Sequence, residues 1–523
     1  MRKDPTISFV IPVYKKPPEV FGKCLDSLFD MSFRDIEVIC VFDGSDSRLE
    51  EEVDNRTGEW PVTRNKNTGE ADPETGLPIY PYRDNSKMED RSHQLKKVVI
   101  EHGGAPKARN KGLELATGKY VVFWDADCYA KPEMAARWIQ EFEAVPDADF
   151  VYTGYEITQE RGGMPGEPFD PYSLTCGNYI CSMSPIKREK ALQWDETLEA
   201  GQDWDYWLTA VEKGYKGVWI EGAGFITDAP EIGISSKHWS AENREETIRK
   251  IRAKHGIPDR EIGVYSQNYT PKALKIAEVL GADLIKSTGK DPRKYKLILN
   301  LGYSYMSRFD EIPESVTKIQ YWLPAEIEAL KNAQYRAVME TIRIAKTVTN
   351  FCNTPFEKNQ LAELGINADV VPLPVLEKDS EKVQRELPDK FKVLLVTDES
   401  YGKLLKELEI DLPHIQFVSG IAQAKDFSCL LSFYQFAALD EAILMAQING
   451  RHVISNVQAP FCGFIDPDQT WDAFKKELYE AIRVARGKSF NKEGQDYYLD
   501  LANPQRFRDA INGRLPKIQL EVA

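Results

Sequence analysis

The segment that most restricts how this chain can fold runs from Tyr120 to Cys128 and reads Tyr-Val-Val-Phe-Trp-Asp-Ala-Asp-Cys. Its apolar first half predicts a buried strand, and the strand ends in two acids, Asp125 and Asp127, separated by Ala126. Open α/β sheets bind ligands at the carboxyl ends of their strands. Two carboxylates placed there need a cation, a basic partner or water. A divalent-metal site facing a diphosphate and a simple acidic turn both satisfy this requirement.

Length and composition exclude several classes of protein. A chain of 523 residues is too long for one core and predicts two to four domains. Its formal net charge of −15 argues against a nucleic-acid-binding or anionic-membrane surface. We find no apolar run long enough for a transmembrane helix and no signal-peptide core at the N-terminus. Eight scattered cysteines without a C-x-x-C pair favour a reduced, cytoplasmic protein.

The chain begins with a β-α-β pattern. Residues 7–14 predict a buried strand, residues 18–30 a helix, and residues 36–42 a second strand that ends at Asp43. This order implies a parallel sheet with a right-handed crossover. At the end of its strand, Asp43 can accept a hydrogen bond from a base or ribose, or it can cap the next helix. The segment alone does not choose between these roles.

The pattern resumes after a polar excursion over residues 54–92, which we interpret as a surface insertion that includes a hairpin. Residues 95–101 predict a third strand, and a helix opens after Gly103-Gly104 and runs to about residue 116. Lys107 and Arg109 stand in its first turns, where the helix dipole prefers anions. A bound anionic ligand explains these cations best, although a solvated surface also accommodates them.

Four segments in this order resemble the family 2 glycosyltransferases of the GT-A fold. They are residues 8–14, Asp43-Gly44-Ser45, Ala108-Arg109-Asn110 and Asp125-Ala126-Asp127. The resemblance implies an α/β fold with one Rossmann-like, mainly parallel sheet. It also implies a nucleotide-sugar donor, most simply a UDP-sugar, with Mn²⁺ or Mg²⁺ and inverting transfer to an acceptor hydroxyl.

The resemblance assigns roles position by position. Asp127 falls where the family holds its cation, Asp125 lies nearer the ribose, and Asp43 matches the base-binding acid. The family often has two adjacent acids where this chain has Phe42-Asp43. The positions assigned to the nucleotide sugar are Pro12, Val13, Tyr14, Asp43, Lys107, Arg109, Asp125 and Ala126.

The resemblance also requires a general base, and the segment Gln202-Asp203 stands where the family has an acidic pair at a helix N-terminus. Asp203 is therefore the predicted base, and we expect the helix dipole to lower its pKa. The alternatives are that Asp203 is only a helix cap and that Asp205 is the base. Three nearby aromatic residues fit either acceptor stacking or core packing. They are Trp204, Tyr206 and Trp207.

A histidine often completes the family's metal site, and His238 stands at the matching place in Ser-Ser-Lys-His-Trp-Ser. The resemblance makes His238 a second predicted metal ligand beside Asp127. An isolated histidine is otherwise a surface or structural residue. The other five histidines have no comparable sequence context.

The second half resembles the GT-B type of glycosyltransferase, with two Rossmann-like lobes. We predict a GT-A domain over residues 1–255 and GT-B-like lobes over residues 256–376 and 377–523. The paired glutamates of that family would fall near Ala437 and Met445, and its basic residues near Asp398-Glu399-Ser400. Because these positions lack the required charges, we expect a non-catalytic scaffold, acceptor platform or homo-oligomerisation surface.

Taken together, the sequence predicts a metal-dependent inverting glycosyltransferase without nucleic-acid partners. Two alternatives stay open: a nonenzymatic carbohydrate- or nucleotide-binding protein, and a bifunctional transferase with a second site in the C-terminal half. A nucleotidyltransferase fits less well, because the first strand is followed by Pro12-Val13-Tyr14 rather than a glycine-rich basic loop.

Overall fold

The chain divides into two units, residues 1–259 and 260–523, each of which is described by itself. The computed structural model describes residues 5–57, 59–63, 83–90, 94–158, 162–228, 241–266, 270–285, 292–332, 335–353, 355–374, 387, 390–397, 404–412, 415–418, 427–433, 441–456, 461–467 and 469–514. No helix in this part of the chain combines the length and apolar character needed to cross a membrane.

Unit 1 is an α/β domain with eleven described strands and seven described α-helices. The strands are Ile7–Val13 (β1), Ile36–Asp43 (β2), Glu59–Thr63 (β3), Arg83–Asp90 (β4), Leu95–Ile100 (β5), Tyr120–Phe123 (β6), Cys128–Ala130 (β7), Phe150–Ile157 (β8), Gly162–Met164 (β9), Ile186–Lys187 (β10) and Gly217–Thr227 (β11). The helices are Pro18–Phe29 (α1), Ser47–Asp54 (α2), Ala105–Leu115 (α3), Met134–Ala144 (α4), Pro171–Cys176 (α5), Gln202–Glu212 (α6) and Ala241–Lys254 (α7), with a 3₁₀ turn at Arg188–Lys190.

Nine of these strands form one sheet in the order β5-β2-β1-β6-β10-β8-β11-β7, with β9 paired to β8. Strands β5, β2, β1 and β6 are parallel, as are β8 and β11, while β10 and β7 run antiparallel to their neighbours. The predicted β-α-β start and third strand are confirmed. Within residues 54–92, the described strands β3 and β4 form an antiparallel hairpin, also as expected.

The central strands are apolar on both faces because helices cover both sides of the sheet. Phe9 and Ile11 of β1 enter one core cluster, which includes residues of α1 and α4. Val10 enters the opposite cluster, which includes residues of α3 and α6. This double burial holds the carboxyl ends of β1, β2 and β6 in fixed positions at one edge of the sheet.

Helix α6 is held in place by α7 and His255, near the end of unit 1. Gly201, at φ +69°, precedes α6, and a Cβ at this position would lie 2.5 Å from Ile251 of α7. His255 follows α7 and is enclosed by two carboxylates. Its Nε2 lies 2.8 Å from Asp205 and its Nδ1 lies 2.7 Å from Glu212. Burial alone would lower the His255 pKa, but these two acids outweigh it and raise the pKa.

Unit 2 contains two sheets in which every paired strand is parallel. The first has the order β13-β12-β14-β15-β16-β17, and its strands are Ile262–Tyr265 (β12), Asp283–Ile285 (β13), Leu297–Leu301 (β14), Thr317–Tyr321 (β15), Thr349–Cys352 (β16) and Asp369–Val370 (β17). The second has the order β19-β18-β20-β21-β22, and its strands are Lys392–Thr397 (β18), Gln416–Val418 (β19), Cys429–Phe433 (β20), His452–Ser455 (β21) and Cys462–Phe464 (β22).

The described α-helices of unit 2 are Thr270–Leu280 (α8), Pro324–Asn332 (α9), Tyr335–Ala345 (α10), Pro355–Glu363 (α11), Leu404–Asp411 (α12), Glu441–Ile448 (α13), Trp471–Arg486 (α14), Lys492–Leu501 (α15) and Pro504–Asn512 (α16), with 3₁₀ segments at Pro292–Lys294 and Tyr303–Glu311. The last described α-helix contacts α8, where Arg508 Nη1 donates to the Val279 carbonyl. All eight cysteines of the chain are free thiols, as the sequence predicted.

Replacing His255 by Gln should destabilise unit 1 in a pH-dependent way. A raised folded pKa means that His255 stabilises the fold fully below its unfolded value of about 6.5, and that this contribution is lost as pH rises through the folded pKa. We expect a loss of about 1–3 kcal/mol in unfolding free energy near pH 6, shrinking toward pH 9.

Urea unfolding followed by tryptophan fluorescence measures this difference, because eight of the ten tryptophans precede residue 260. A difference that grows with pH would mean that His255 is neutral in the fold.

Candidate active site

Three parallel strands deliver the predicted site residues to one edge of the sheet. Strand β1 lies between β2 and β6, with Val13 beside Phe42 and Val10 beside Phe123. The chain therefore leaves the sheet at neighbouring points toward Tyr14, Asp43 and the turn after Phe123. The acidic turn, the first loop and Asp43 share this edge, as expected from the parallel topology.

The acidic turn is paired with two basic side chains. Arg109 Nη2 donates to Asp125 Oδ1 over 3.0 Å, and Lys16 Nζ contacts Asp127 Oδ2. Ala126 is buried between them, whereas the Asp125 and Asp127 side chains keep about a third of their surface exposed, 37% and 36%. Each basic group engages one oxygen of its carboxylate, and no other described side chain is hydrogen-bonded to the second oxygen of either acid. A carboxylate oxygen can accept from, or coordinate, a further ligand.

Arg109 joins the acidic turn to α6. Its Nη1 donates to Gln202 Oε1 over 3.1 Å, and its guanidinium lies 4.4 Å from the centre of the Trp194 ring. The side chain is buried, and its Nε has no hydrogen-bond partner among the described residues. Because Arg109 is buried, the alternative of a solvated surface is wrong for this residue. Arg109 pairs with the internal carboxylate of Asp125, and a bound anion beside it stays a prediction.

The residues beside Arg109 fix its position. Asn110 Nδ2 donates to the Trp194 carbonyl and its Oδ1 accepts from the Trp194 amide, at 3.0 and 2.7 Å. The segment Ala108-Arg109-Asn110 therefore binds the chain before α6 as well as the acidic turn. Lys107, two residues before Arg109 in α3, extends along Gly103, where a Cβ would lie 2.3 Å from its Cδ.

Asp43 is buried and holds the glycine turn before α3. Its Oδ1 accepts from the Gly103 amide at 2.7 Å and its Oδ2 from the Gly104 amide at 2.9 Å. His102 Nδ1 lies 2.8 Å from the same Oδ2. The alternative role of capping the next helix is wrong, because Asp46 caps α2.

An aromatic stack stands beside this carboxylate. The His102 ring stacks on Tyr14, with centroids 4.5 Å apart and planes at 11°. Tyr14 is 43% exposed, whereas Pro12 and Val13 belong to β1 and Val13 is buried. Of the three predicted wall residues, Tyr14 therefore offers the accessible face.

Asp203 lies in the first turn of α6. Its Oδ1 accepts from the Trp204 amide at 2.9 Å and its Oδ2 from Asn178 Nδ2 at 2.8 Å. Burial raises the Asp203 pKa above its ordinary value, although backbone amides and the Arg109 charge oppose the shift. The expected lowering of this pKa by the helix dipole is therefore wrong.

The other predicted site residues of α6 are buried and have structural contacts. Asp205 is buried and paired with His255 Nε2 at 2.8 Å and Lys254 Nζ at 2.7 Å. Three aromatic side chains of α6 are 6% or less exposed, so core packing replaces acceptor stacking as their role. They are Trp204, Tyr206 and Trp207.

A divalent cation would find hard oxygen donors at Asp125 and Asp127, which suit Mn²⁺ or Mg²⁺. The second carboxylate oxygens of Asp125 and Asp127 fit such an ion, and Lys16 is a competing cation. Within the described ranges no group of three or more His, Cys, Asp or Glu side chains is placed to hold a metal. The predicted ligand His238 lies outside the described residues.

Sequence reasoning missed three polar residues of this site. Lys16 follows the first strand by three positions, His102 directly precedes the glycine turn, and Asn178 follows the helix that packs on α6. The available signal for Lys16 was its position in the sequence. It is a basic residue just beyond β1, the strand that lies beside β6 and its acidic turn. His102 and His255, to which the sequence assigned no role, contact carboxylates: His102 contacts Asp43, and His255 contacts Asp205 and Glu212.

Comparison with known proteins agrees with this geometry. The sequence model of "Glycosyl transferase family 2" matches residues 8–70 and 83–198. A putative teichuronic acid biosynthesis glycosyltransferase, TuaG of Bacillus subtilis, is 29% identical over 199 residues, covering 36% of this chain and 77% of the relative. The amylovoran biosynthesis glycosyltransferase AmsB of Erwinia amylovora is 28% identical over 235 residues, covering 42% of this chain and 68% of the relative.

Among solved structures, S. aureus TarS in complex with UDP-GlcNAc is similar at 17% identity and a TM-score of 0.36, covering 66% of this chain and 84% of that one. The family match falls within the unit that contains the acidic turn, Arg109 and Asp203. Unit 1 carries a glycosyl transferase family 2 domain, and the protein is a glycosyltransferase.

Proposed function

We propose that unit 1 is a metal-dependent inverting glycosyltransferase that takes a nucleotide-sugar donor, most simply a UDP-sugar. The observation that carries the proposal is Arg109, which hydrogen-bonds both Asp125 of the acidic turn and Gln202 of α6. Arg109 thereby links the acids that are predicted to bind the donor to α6, whose first turn contains the predicted base, Asp203. Direct displacement at a sugar carbon requires that the groups that bind the nucleotide sugar lie beside the group that activates the acceptor hydroxyl.

The nucleotide side is assigned to the exposed strand ends. Tyr14 is the exposed aromatic residue, and the His102 ring that stacks on it has its Nδ1 2.8 Å from Asp43. Pro12 and Val13 form the strand behind Tyr14, and Lys107 extends along the glycine turn that Asp43 holds. A flat apolar face next to a buried carboxylate suits a nucleobase with ring N–H donors.

The diphosphate side is assigned to the acidic turn. Asp127, with Asp125, would hold Mn²⁺ or Mg²⁺, and the predicted role of His238 as a further ligand is kept. When bound, the cation supplies positive charge to the diphosphate as it leaves. Arg109 keeps Asp125 oriented through Oδ1, while buried Ala126 fixes the spacing of the two acids.

Asp203 is the proposed general base. Its raised pKa brings it closer to the working pH, where a carboxylate is a more effective proton acceptor. Asn178 holds Oδ2 and the Trp204 amide holds Oδ1, so the carboxylate is oriented before the acceptor arrives. It would take the proton of the acceptor hydroxyl as that oxygen attacks the sugar carbon opposite the diphosphate.

For unit 2 we propose a GT-B-like scaffold with lobes over residues 256–376 and 377–523 that takes no part in the transfer. Its two parallel sheets are compatible with such lobes. Met445, where that family would place a glutamate, is 40% exposed on α13. The corresponding positions Ala437 and 398–400 lie outside the described residues. An acceptor platform or a homo-oligomer surface are the roles proposed for this unit.

Replacing Asp203 by Asn should abolish transfer while leaving the fold intact. The amide keeps the size of the side chain and can still accept from Asn178, but it cannot take a proton. We expect a fall in kcat of about 10²–10⁴-fold, measured as sugar transfer from a radiolabelled nucleotide sugar to a defined acceptor.

Asp205→Asn on the same helix is the matched control. Because Asp205 is held by His255 and Lys254, its loss should lower thermal stability and change kcat only a few-fold. A fully active Asp203→Asn variant, or an inactive but stable Asp205→Asn variant, would contradict the assignment of the base.

The acid limb of the pH–rate profile should report Asp203. Because the carboxylate must be ionised to act, kcat should fall as pH drops through a pKa above the ordinary aspartate value. Asn178→Ala removes a donor that favours the ionised form, so this limb should move to higher pH by about one unit. An acid limb that Asn178→Ala leaves in place would assign the titration to another group.

A further inference from the structure

Lys16 occupies the carboxylate to which the proposed function assigns a divalent cation. Its Nζ contacts Asp127 Oδ2, although 111 residues separate the two in the chain. The side chains are 28% and 36% exposed, so the ion pair is partly exposed at the edge of the sheet rather than buried in the core. Neither the resemblance to known families nor the proposed transfer mechanism requires a lysine at this position.

The backbone conformation around Lys16 is restricted by its neighbours. Lys15 has φ +46°, a left-handed conformation that is uncommon for residues other than glycine. Pro17 follows and restricts Lys16 to extended conformations, and Pro18 begins α1 directly afterwards. The short connection between β1 and α1 therefore directs Lys16 toward the acidic turn, and the contact is not the chance meeting of two mobile surface groups.

Two cations cannot share this place without a further anion. An ammonium ion and a divalent ion on the same carboxylate repel each other over a few ångströms. A metal ion arriving alone must therefore bind the second oxygen of Asp127 against the repulsion of the Lys16 ammonium group, or displace Lys16 and leave its charge unpaired. A metal ion arriving with a nucleotide sugar brings the negative diphosphate, which can receive the displaced ammonium group.

We propose that Lys16 is a resident counter-ion of Asp127 that competes with the divalent cation and passes to the diphosphate when the donor binds. The inference rests on the proposed function and adds a regulation of the same site. Its consequence is cooperativity, since the cation binds weakly alone and tightly with the nucleotide. By linkage, the nucleotide also binds more tightly in the presence of the cation.

The test compares Lys16→Met with the wild-type chain in two titrations. Binding of Mn²⁺ alone, followed by electron paramagnetic resonance of the free ion, should tighten about tenfold because the competitor is gone. Binding of UDP in saturating Mn²⁺, followed by calorimetry, should weaken about tenfold because one phosphate contact is lost. The two ligands should thus respond in opposite directions, whereas a structural defect would weaken both.

Two further variants complete the experiment. Lys16→Arg keeps the positive charge and should restore UDP affinity to near the wild-type value. Lys23→Met removes an exposed lysine from α1 and should leave both titrations unchanged. Thermal melting of each variant identifies any that fail to fold, and Lys16→Gln, which also removes the charge, then replaces Lys16→Met in both titrations.

The outcomes separate the two proposals. Equal Mn²⁺ affinities for Lys16→Met and wild type, or a UDP affinity that Lys16→Met leaves unchanged, would overturn the role of Lys16 alone. Wild-type protein that binds Mn²⁺ neither alone nor with UDP or GDP would overturn the proposed metal dependence and the inference with it. Opposite shifts in the two titrations would support both.

Discussion

The site depends most on the buried guanidinium of Arg109. It is bound at one end to Asp125 and at the other to Gln202, and its face lies on Trp194. A buried charge is costly unless it is paired, so this arrangement holds only while the acidic turn and α6 remain in place. The sheet core fixes the turn and α7 fixes α6, which makes Arg109 the link through which the core positions the chemistry. Truncating it would leave Asp125 without its charge partner and would separate the two halves of the cleft.

The elements that carry the site were predictable because their patterns are local. Strand β1 and helix α1 follow from continuous apolar runs and helical spacing, and the first acidic turn follows from its place after β6. Strand β12 lacks such a pattern because it has only four residues and Gly263 interrupts its apolar side chains. Lys16 and His102 were missed for a different reason: their roles come from pairing across the parallel sheet, which the order of residues along the chain does not show.

Asp203 shows how a local rule fails inside a folded site. A helix N-terminus lowers the pKa of an exposed carboxylate, and the sequence placed Asp203 at such a position. In the structure the same helix lies against the sheet, and loss of solvent raises the pKa more than the helix end and Arg109 lower it. The extent of burial depends on α5, α7 and the chain around Asn178, none of which is local to Asp203. The direction of this shift suits a proton acceptor better than the one the sequence suggested.

Charge compensation within the cleft is the remaining constraint. The chain carries a formal net charge of −15, and three acids share the sheet edge to which the donor is assigned. Two of them have a cationic side chain against them, Arg109 at Asp125 and Lys16 at Asp127, and Asp43 contacts the His102 ring. An anionic ligand could not approach three bare carboxylates on an acidic protein, because like charges in a cleft repel over several ångströms. The basic partners therefore do more than stabilise the fold, since they make an acidic edge of the sheet able to accept an anionic donor.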